Sequence, residues 1–328
     1  MGPDGPSGPG PKLGAIIEPE TWDALVPAVG AEEIPPEVPG LPPEVPGLPV
    51  PIGRRVPLRG RGTTFVREVP GPPGAPTVLL LHGWMASGGL NWFQVFQPLS
   101  EHFRVVAPDL RGHGRGIRSR RRFRLADCAD DVAALLEEIG EDEPVIAVGY
   151  SMGGPVAQLL WKRHPHRVRG LVLCASGPSF VPAARERIIF TTFMSAAAGV
   201  SGAAGLAANL PTRLTRRMMP AGNGERARTM RAWATAEMRR HDWRQVLEAG
   251  HAIGTFDSRR WVKRIDVPTD VLVTEHDRAL PAKDQRRFAA SIPGATVHTI
   301  DGGHTMCMRP EFGPPVVAAC RRVERRSS

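Results

Sequence analysis

The sequence predicts an α/β protein built on a mostly parallel, doubly wound sheet, with a helical cap inserted over it. Three observations support this fold class. Short apolar runs alternate with longer helical patterns from residue 54 onward, the alternation stops between residues 177 and 267, and it resumes afterwards. Such alternation is typical of parallel sheets with helices on both faces. We therefore assign residues 54–176 and 268–328 to an α/β core, and residues 177–267 to a helical cap or lid.

The core strands are predicted where short runs of apolar residues occur, and the core helices where apolar residues follow helical spacing. The predicted strands are residues 77–81, 104–107, 145–148, 168–175, 269–273 and 295–300. The predicted helices are residues 125–139, 155–164 and 283–292. Ligands of doubly wound sheets bind at the carboxyl ends of the strands, so residues directly after each strand are the candidates for chemistry.

The first 53 residues differ from the rest because they are rich in proline and glycine. The pattern Pro-Pro-Glu-Val-Pro-Gly-Leu occurs twice in succession, at residues 35–48. Proline cannot donate the hydrogen bond that helices and interior strands need, so we expect residues 1–53 to form an extended or disordered arm. The start of this arm contains no apolar stretch of the kind found in signal peptides, which predicts a cytoplasmic location.

The predicted cap has an uncharged part followed by a basic part. Residues 188–212 carry no charge, but glycines at 199, 202 and 205 and many small residues keep their hydrophobicity low. This favours a lid-like helical hairpin lining an apolar pocket over a membrane span. Nine arginines follow between residues 213 and 244. They predict either a solvated helix face or peripheral contact with anionic lipid.

The net charge of +9 does not predict a nucleic-acid partner. Arginine supplies nearly all of the positive charge, and neither a known nucleic-acid motif nor a pattern of stacking aromatic residues accompanies it. We expect its densest cluster, residues 118–124, to be a solvated loop face and not a phosphate site. The four cysteines form no CxxC pair, so the sequence predicts neither a disulfide framework nor a metal site, and no cofactor.

The most informative motif is Gly149-Tyr150-Ser151-Met152-Gly153, which lies between a predicted strand and a predicted helix. A GxSxG sequence at this place is typical of a nucleophile elbow, a strained turn that exposes the serine hydroxyl at a helix N-terminus. Glycine is expected at 149 and 153 because a Cβ atom there would collide with neighbouring backbone. The motif therefore predicts Ser151 as a nucleophile.

A serine nucleophile needs a histidine base and an acid that orients the histidine. Asp277 follows the predicted strand 269–273, and His304 follows the predicted strand 295–300. Both residues are therefore expected at the same sheet edge as Ser151, and we predict a catalytic triad of Ser151, His304 and Asp277. Asp301 could also supply the acid, but it precedes His304 by only three residues, so Asp277 is favoured.

The reaction also needs donors for the oxyanion of the tetrahedral intermediate. His82-Gly83-Trp84 follows the predicted strand 77–81, so the backbone N–H groups of Trp84 and Met152 are the expected oxyanion hole. We expect His82 to support the site through hydrogen bonds rather than to react. Gly83 is expected to support the same loop.

These motifs together resemble the α/β-hydrolase superfamily. The segments that carry the resemblance are His82-Gly83-Trp84, Asp109-Leu110-Arg111-Gly112-His113-Gly114, Gly149-Tyr150-Ser151-Met152-Gly153-Gly154, Glu275-His276-Asp277 and Gly302-Gly303-His304. The resemblance covers about residues 54 to 325 and is strongest to esterase, haloperoxidase-like and lipase-like members with a helical cap. It implies the α/β-hydrolase fold and a metal-independent mechanism in which Ser151 attacks, His304 carries the proton and water deacylates.

On this basis we expect a serine esterase whose small-molecule substrate has an apolar acyl or alcohol part. Related enzymes with epoxide hydrolase or haloalkane dehalogenase activity carry Asp in place of Ser151, so those activities are disfavoured. Hydrolysis of a thioester or a C–C bond, and cofactor-free perhydrolysis, remain open because they use the same triad. From another class, a non-catalytic ligand receptor or a lipid-surface binding protein remains an alternative. The oligomeric state is not predicted.

Overall fold

The computed structural model describes residues 43–181, 184–201 and 225–327, and it contains an eight-stranded sheet with the order β1-β2-β4-β3-β5-β6-β7-β8. The strands are β1 (Gly53–Leu58), β2 (Gly62–Val69), β3 (Thr77–Leu81), β4 (Arg104–Pro108), β5 (Val145–Tyr150), β6 (Val168–Cys174), β7 (Thr269–Thr274) and β8 (Thr296–Ile300). Strand β2 pairs antiparallel with β1 and β4, and all other neighbours pair in parallel.

Helices cover both faces of this sheet. The α-helices of the described residues are α1 (Gly88–Trp92), α2 (Phe96–Ser100), α3 (Leu125–Glu138), α4 (Gly153–Arg163), α5 (Ala184–Ser201), α6 (Glu225–Arg239), α7 (Trp243–Thr255), α8 (Ala282–Ala290) and α9 (Gly313–Ser327). Side chains of β3 alternate between two apolar clusters, with Val78 and Leu80 in one and Leu79 and Leu81 in the other. Both faces of the sheet are therefore packed, as parallel sheets require. The predicted fold class is confirmed.

Strands β1 and β2 are not among the strands expected from the sequence. Arg54 and Arg55 in β1 and Arg67 in β2 interrupt the apolar patterns that mark the other strands. The two strands form an antiparallel hairpin at the edge of the sheet, where Arg54 and Arg55 are exposed. Arg67, in contrast, is fully buried and forms ion pairs.

The end of the predicted arm is packed against the core. Leu48 is 0% exposed and Val50 is 1% exposed. Both belong to an apolar cluster of buried residues that includes side chains of β3 and β5. The Glu44 carboxylate pairs with Arg67 and Arg115. Within the predicted arm of residues 1–53, the part from residue 43 onward is thus anchored, because two apolar side chains and one carboxylate have partners in the core. Residues 1–42 lie outside the described residues.

Between β6 and β7 the chain forms helices without an intervening strand in the described residues, as expected for the cap. Helices α5 and α7 pack closely where α7 has Gly250 and Gly254. A Cβ atom at either position would lie 2.8 Å from a side chain of α5, the sulfur of Met194 or the ring of Phe190. The predicted uncharged segment 188–212 is described only as far as residue 201. The cap boundaries 177–267 remain a prediction.

No helix in residues 43–181, 184–201 and 225–327 is long and apolar enough to cross a membrane. Three large apolar side chains of α5 are nevertheless exposed: Ile188, Ile189 and Phe193, at 64%, 53% and 55%. Peripheral lipid contact through the cap and the cytoplasmic location both remain predictions.

Candidate active site

Ser151 lies in a tight turn between β5 and α4. Its φ angle is 49°, in the left-handed region that non-glycine residues rarely adopt. A Cβ atom at Gly149 would collide with the carbonyl oxygen of Gly153, and one at Gly153 would collide with the carbonyl oxygen of Leu81. The Ser151 N–H donates to the carbonyl oxygen of Cys174 at 2.9 Å, which fixes the turn. The turn therefore has the geometry of a nucleophile elbow.

The structure brings Ser151, His304 and Asp277 into one hydrogen-bond chain. Ser151 Oγ lies 2.9 Å from His304 Nε2, and His304 Nδ1 lies 2.8 Å from Asp277 Oδ2. Because a carboxylate can only accept, Nδ1 carries the proton, and in the neutral imidazole Nε2 is free to accept the hydroxyl proton of Ser151. The Tyr150 hydroxyl donates to the carbonyl oxygen of His304 at 2.8 Å and so fixes its backbone.

The carboxylate of Asp277 is held by four further hydrogen bonds. Oδ1 accepts from the backbone N–H groups of Ala279 and Leu280 at 2.9 and 2.8 Å. Oδ2 accepts from the Thr274 hydroxyl at 2.8 Å and from Gln285 Nε2 at 3.3 Å. The Asp277 side chain is fully buried, so these donors keep it oriented toward His304.

Gln285 is a residue of this site that the sequence analysis does not identify. Its side chain is 0% exposed and forms hydrogen bonds with the Thr274 hydroxyl, the Thr274 N–H and the Leu280 carbonyl as well as with Asp277. The only signal in the sequence is a glutamine in an amphipathic helix, eight residues after Asp277. That signal does not indicate which way the side chain points.

The environment of His304 suits a general base. Burial alone would lower the pKa of His304, but the negative charge of Asp277 and the hydrogen bond to it outweigh burial, so the pKa is raised above its ordinary value of 6.5. The buried His82, His113 and His241 differ, because burial lowers the pKa of each to about 3. Of these four histidines, only His304 has a pKa raised above the ordinary value.

We expect the activity of the protein to rise with pH as His304 loses its proton, because only the neutral imidazole can accept the proton of Ser151. For a neutral ester, kcat/KM should reach half of its plateau above pH 6.5. In Asp277→Asn the negative charge that raises the pKa is gone, so the midpoint should move to lower pH. The measurement is kcat/KM between about pH 5 and about pH 9. A wild-type midpoint below 6.5, or an unchanged midpoint in Asp277→Asn, would contradict this assignment.

The predicted oxyanion donors flank Ser151. Met152 directly precedes α4, and Trp84 lies in the loop after β3. In the described residues, no group accepts a hydrogen bond from the backbone N–H of Trp84 or Met152. Gly83, next to Trp84, donates its N–H to Asn91 Oδ1 at 2.9 Å, and the Trp84 indole donates to the carbonyl oxygen of Val246 at 2.7 Å. The loop is thus fixed at both sides of the candidate donor.

His82 stabilises the same loop and does not contact Ser151 within hydrogen-bond distance. Its Nδ1 lies 2.8 Å from the carbonyl oxygen of Gly83, and its Nε2 accepts from the Leu110 N–H at 2.9 Å. Asp109 lies in the loop after β4. Its Oδ1 accepts from the Gly88 N–H and its Oδ2 from the Arg115 N–H, both at 2.8 Å. These contacts connect the loop after β3 to the loop after β4.

A buried ion cluster joins the cap to these loops. Glu237 on α6 is 0% exposed. It accepts from the Ser87 hydroxyl at 3.0 Å and from Arg115 at 2.8 Å, and it lies 3.6 Å from Arg67. Because these residues come from distant parts of the chain, their convergence has no local sequence signal.

An apolar cluster formed mainly by residues of the predicted cap lies beside Trp84. Val181, Phe190 and Met194 form its buried part, and Trp84, Phe180 and Leu247 pack against it while remaining partly exposed. The Trp84 and Phe190 rings meet edge to face, with centroids 6.5 Å apart. The cluster therefore offers an apolar surface next to the candidate oxyanion donor.

Asp301 does not enter the site. Its side chain is 93% exposed and lies 2.9 Å from His276 Nε2, away from His304 Nδ1, which faces Asp277. The structure thus brings Asp277, and not Asp301, to the histidine.

Comparisons with known proteins show which family the chain resembles. Residues 76–309 match the family described as alpha/beta hydrolase fold. A pimeloyl-[acyl-carrier protein] methyl ester esterase of Chromobacterium violaceum is 31% identical over 229 residues, which cover 68% of this chain and 84% of that protein. The magnesium-chelatase 30 kDa subunit of Rhodobacter capsulatus is 30% identical over 261 residues, which cover 71% and 82%.

Among solved structures, a hydrolase from Pseudomonas aeruginosa PA01 superimposes with a TM-score of 0.66 at 25% identity, covering 83% of this chain and 98% of that chain. Matches to further pimeloyl-[acyl-carrier protein] methyl ester esterases are shorter and span only 37% to 46% of the length of those proteins.

Proposed function

Because the chain belongs to the alpha/beta hydrolase family, we propose that it is a serine hydrolase that cleaves a carboxylic ester through an acyl-enzyme intermediate. The observation that carries this proposal is the hydrogen-bond chain from Ser151 Oγ through His304 to Asp277. A receptor without catalysis would not need this chain. The esterase names of relatives such as the one from Chromobacterium violaceum agree with the proposal.

In the first half of the reaction, Ser151 Oγ attacks the ester carbonyl carbon while His304 Nε2 takes the hydroxyl proton. The carboxylate of Asp277 stabilises the imidazolium that forms. When the tetrahedral intermediate collapses, the C–O bond to the alcohol breaks and Nε2 gives the proton to the leaving oxygen. In the second half, Nε2 takes a proton from water as the water attacks the acyl carbon. When the second tetrahedral intermediate collapses, the bond between the acyl carbon and Ser151 Oγ breaks, Nε2 returns the proton to Oγ, and the carboxylic acid leaves.

The negative oxygen of each tetrahedral intermediate needs donors that are already in place. In our proposal these are the backbone N–H groups of Trp84 and Met152, which have no acceptor within the described part of the chain. Met152 also lies at the N-terminus of α4, where the helix dipole favours negative charge.

The apolar cluster beside Trp84 supports an apolar acyl part in the substrate. Each methylene that it buries stabilises binding by about 0.8 kcal/mol. For p-nitrophenyl esters from acetate to palmitate, we therefore expect kcat/KM to rise by up to about fourfold per methylene until the cluster is filled, and then to level off or fall. The measurement is the release of p-nitrophenol along this series.

Two variants sharpen this experiment. Leu247→Ala removes a side chain that packs against the cluster, so the preferred acyl chain should become longer. Ile189→Ala removes a side chain that is 53% exposed, so the preference should not change. Activity that does not depend on chain length, or an equal shift in both variants, would argue against an apolar acyl site at this place. If no ester is hydrolysed at all, the leading alternatives are hydrolysis of a thioester or a C–C bond, perhydrolysis, and binding of a ligand without catalysis.

A further inference from the structure

A concave site lies at the edge of the sheet, and neither Ser151 nor His304 lines it. It has a volume of about 550 Å³ and lies between the β1–β2 hairpin, the loop after β4 and the end of α6. Its charged lining residues are all arginines. The complete lining consists of Arg55, Thr63, Gly114, Arg115, Gly116, Arg118 and Arg240. We call this site the arginine cavity.

The carboxylates near the arginine cavity do not line it. Arg115 and Arg240 share Glu237, at 2.8 and 2.5 Å, and Arg115 also pairs with Glu44. Glu237 is fully buried. Two further carboxylates nearby have other partners, since Asp109 accepts from backbone N–H groups and Asp242 accepts from the Gln245 N–H. Arg115 and Arg240 therefore pair with carboxylates that lie outside the lining of the cavity.

The charges of Arg55 and Arg118 are not balanced in this way. In the part of the chain that the structure describes, the ion pairs at the cavity involve Arg115 and Arg240 but neither Arg55 nor Arg118. Asp242 and Asp109 attract Arg118 only from beyond ion-pair distance. Arg118 donates only to carbonyl oxygens, those of Gly114 at 2.7 Å and of Arg240. Arginine side chains from positions as distant as 55, 118 and 240 thus converge on one cavity, although like charges repel each other. An anion bound in the cavity would attract each of these guanidinium groups and so offset the repulsion between them.

The chemistry of the lining fits an anion with several oxygen atoms, such as phosphate. The planar guanidinium group matches two phosphate oxygens at once, which a point charge such as the lysine ammonium cannot do. The hydroxyl of Thr63 adds a further donor to the wall. A volume of about 550 Å³ lies in the range of small-molecule sites and exceeds what a phosphate group alone would fill.

We propose that the arginine cavity binds a phosphate-bearing anion, with Arg55 and Arg118 as its principal ligands. The site does not depend on the proposed ester hydrolysis, so the full-length Ser151→Ala variant should bind as well as the wild type. The phosphate can come from a dissolved phosphate ester or from a lipid headgroup, and the two sources are distinguished by experiment.

The test uses isothermal titration of the full-length protein with inorganic pyrophosphate, at constant ionic strength set with chloride. Arg55→Gln is the informative variant because the Arg55 side chain is exposed, so its replacement should leave the melting temperature unchanged. Arg321→Gln is the matched control, an exposed arginine on α9 outside the cavity. In parallel, co-sedimentation with phosphatidylcholine vesicles containing phosphatidic acid tests the lipid source.

We expect saturable binding with one site per chain, weakened about tenfold or more in Arg55→Gln and less than about twofold in Arg321→Gln. Pyrophosphate binding that depends on Arg55 supports a dissolved ligand, and vesicle binding that depends on Arg55 supports a lipid headgroup. The proposal is overturned if neither probe binds saturably, or if the two variants weaken binding equally, since that would indicate a general charge effect.

Discussion

Replacing Ser151 with alanine is expected to lower kcat for the preferred p-nitrophenyl ester by about 10⁶-fold, because loss of the nucleophile in a serine protease has an effect of that size. The hydroxyl oxygen is the only atom of the hydrogen-bond chain that would form a covalent bond with the substrate. KM should change little, because the side chain that is lost is small and the apolar cluster remains. The measurement is steady-state hydrolysis, with the melting temperature recorded alongside.

Ser179→Ala is the matched control for this experiment. Ser179 is also a buried serine after a strand, and its hydroxyl has no hydrogen-bond partner in the described residues. We expect wild-type activity from this variant. A Ser151→Ala protein that keeps more than about 1% of the wild-type kcat would show that the ester is cleaved by another route.

The second large effect is expected from Asp277→Asn, with a loss of about 10⁴-fold in kcat, as found for the corresponding change in a serine protease of another fold. The amide would present a donor or a weaker acceptor to His304 Nδ1, so the histidine would lose both its tautomer and the charge that stabilises the imidazolium. The backbone N–H groups of Ala279 and Leu280 should still donate to the amide oxygen and hold the side chain in place, with the amide nitrogen toward His304. The measurement is again kcat for the preferred ester.

Asp301→Asn separates this effect from a general loss of negative charge near His304. Asp301 precedes His304 by three residues, but its side chain is 93% exposed and contacts His276. The change should alter kcat by less than about twofold, as is usual for exposed charges. If Asp301→Asn were the more damaging variant, the acid of the candidate triad would have to be reassigned.

Much of the fold is predictable because its strands have a local signal. The parallel strands β3, β5 and β7 are buried at every residue, and each contains an apolar run that stands out in the sequence, at residues 78–81, 145–148 and 271–273. The positions of Ser151 and Asp277 follow from the same signal, since each comes shortly after such a run. His304 follows β8, which is only partly buried and has a weaker signal. Parallel strands end at one sheet edge, and this brings residues more than 100 positions apart into contact.

The parts that the sequence does not predict depend on side chains that meet across distant elements. Glu237 reaches Ser87 and Arg115 from the cap, and nothing in the basic sequence around it distinguishes it from a solvated glutamate. Gln285 reaches Asp277 only because α8 packs against β7. The arginine cavity likewise needs β1, which has no clear apolar pattern. In each case the contact depends on the direction in which a side chain points, and the apolar periodicity of the sequence does not determine that direction.

The buried ion cluster around Glu237 also explains how the cap and the loop after β3 are held together. Ser87 is the N-cap residue of α1, and its hydroxyl accepts from the Leu90 N–H at 3.3 Å while it donates to Glu237. The same loop carries Trp84, whose indole donates to Val246 on α7. The candidate oxyanion donor is therefore fixed from the cap as well as from the core.

The central claim is that Ser151 is an activated nucleophile, and covalent labelling tests it most directly. The full-length protein is treated with a fluorophosphonate, digested, and the modified residue is identified by mass spectrometry. We expect one adduct, on Ser151, that does not form in the denatured protein and forms far more slowly in Asp277→Asn. No adduct in the native protein, or an adduct on another residue while Ser151 stays unmodified, would contradict the account.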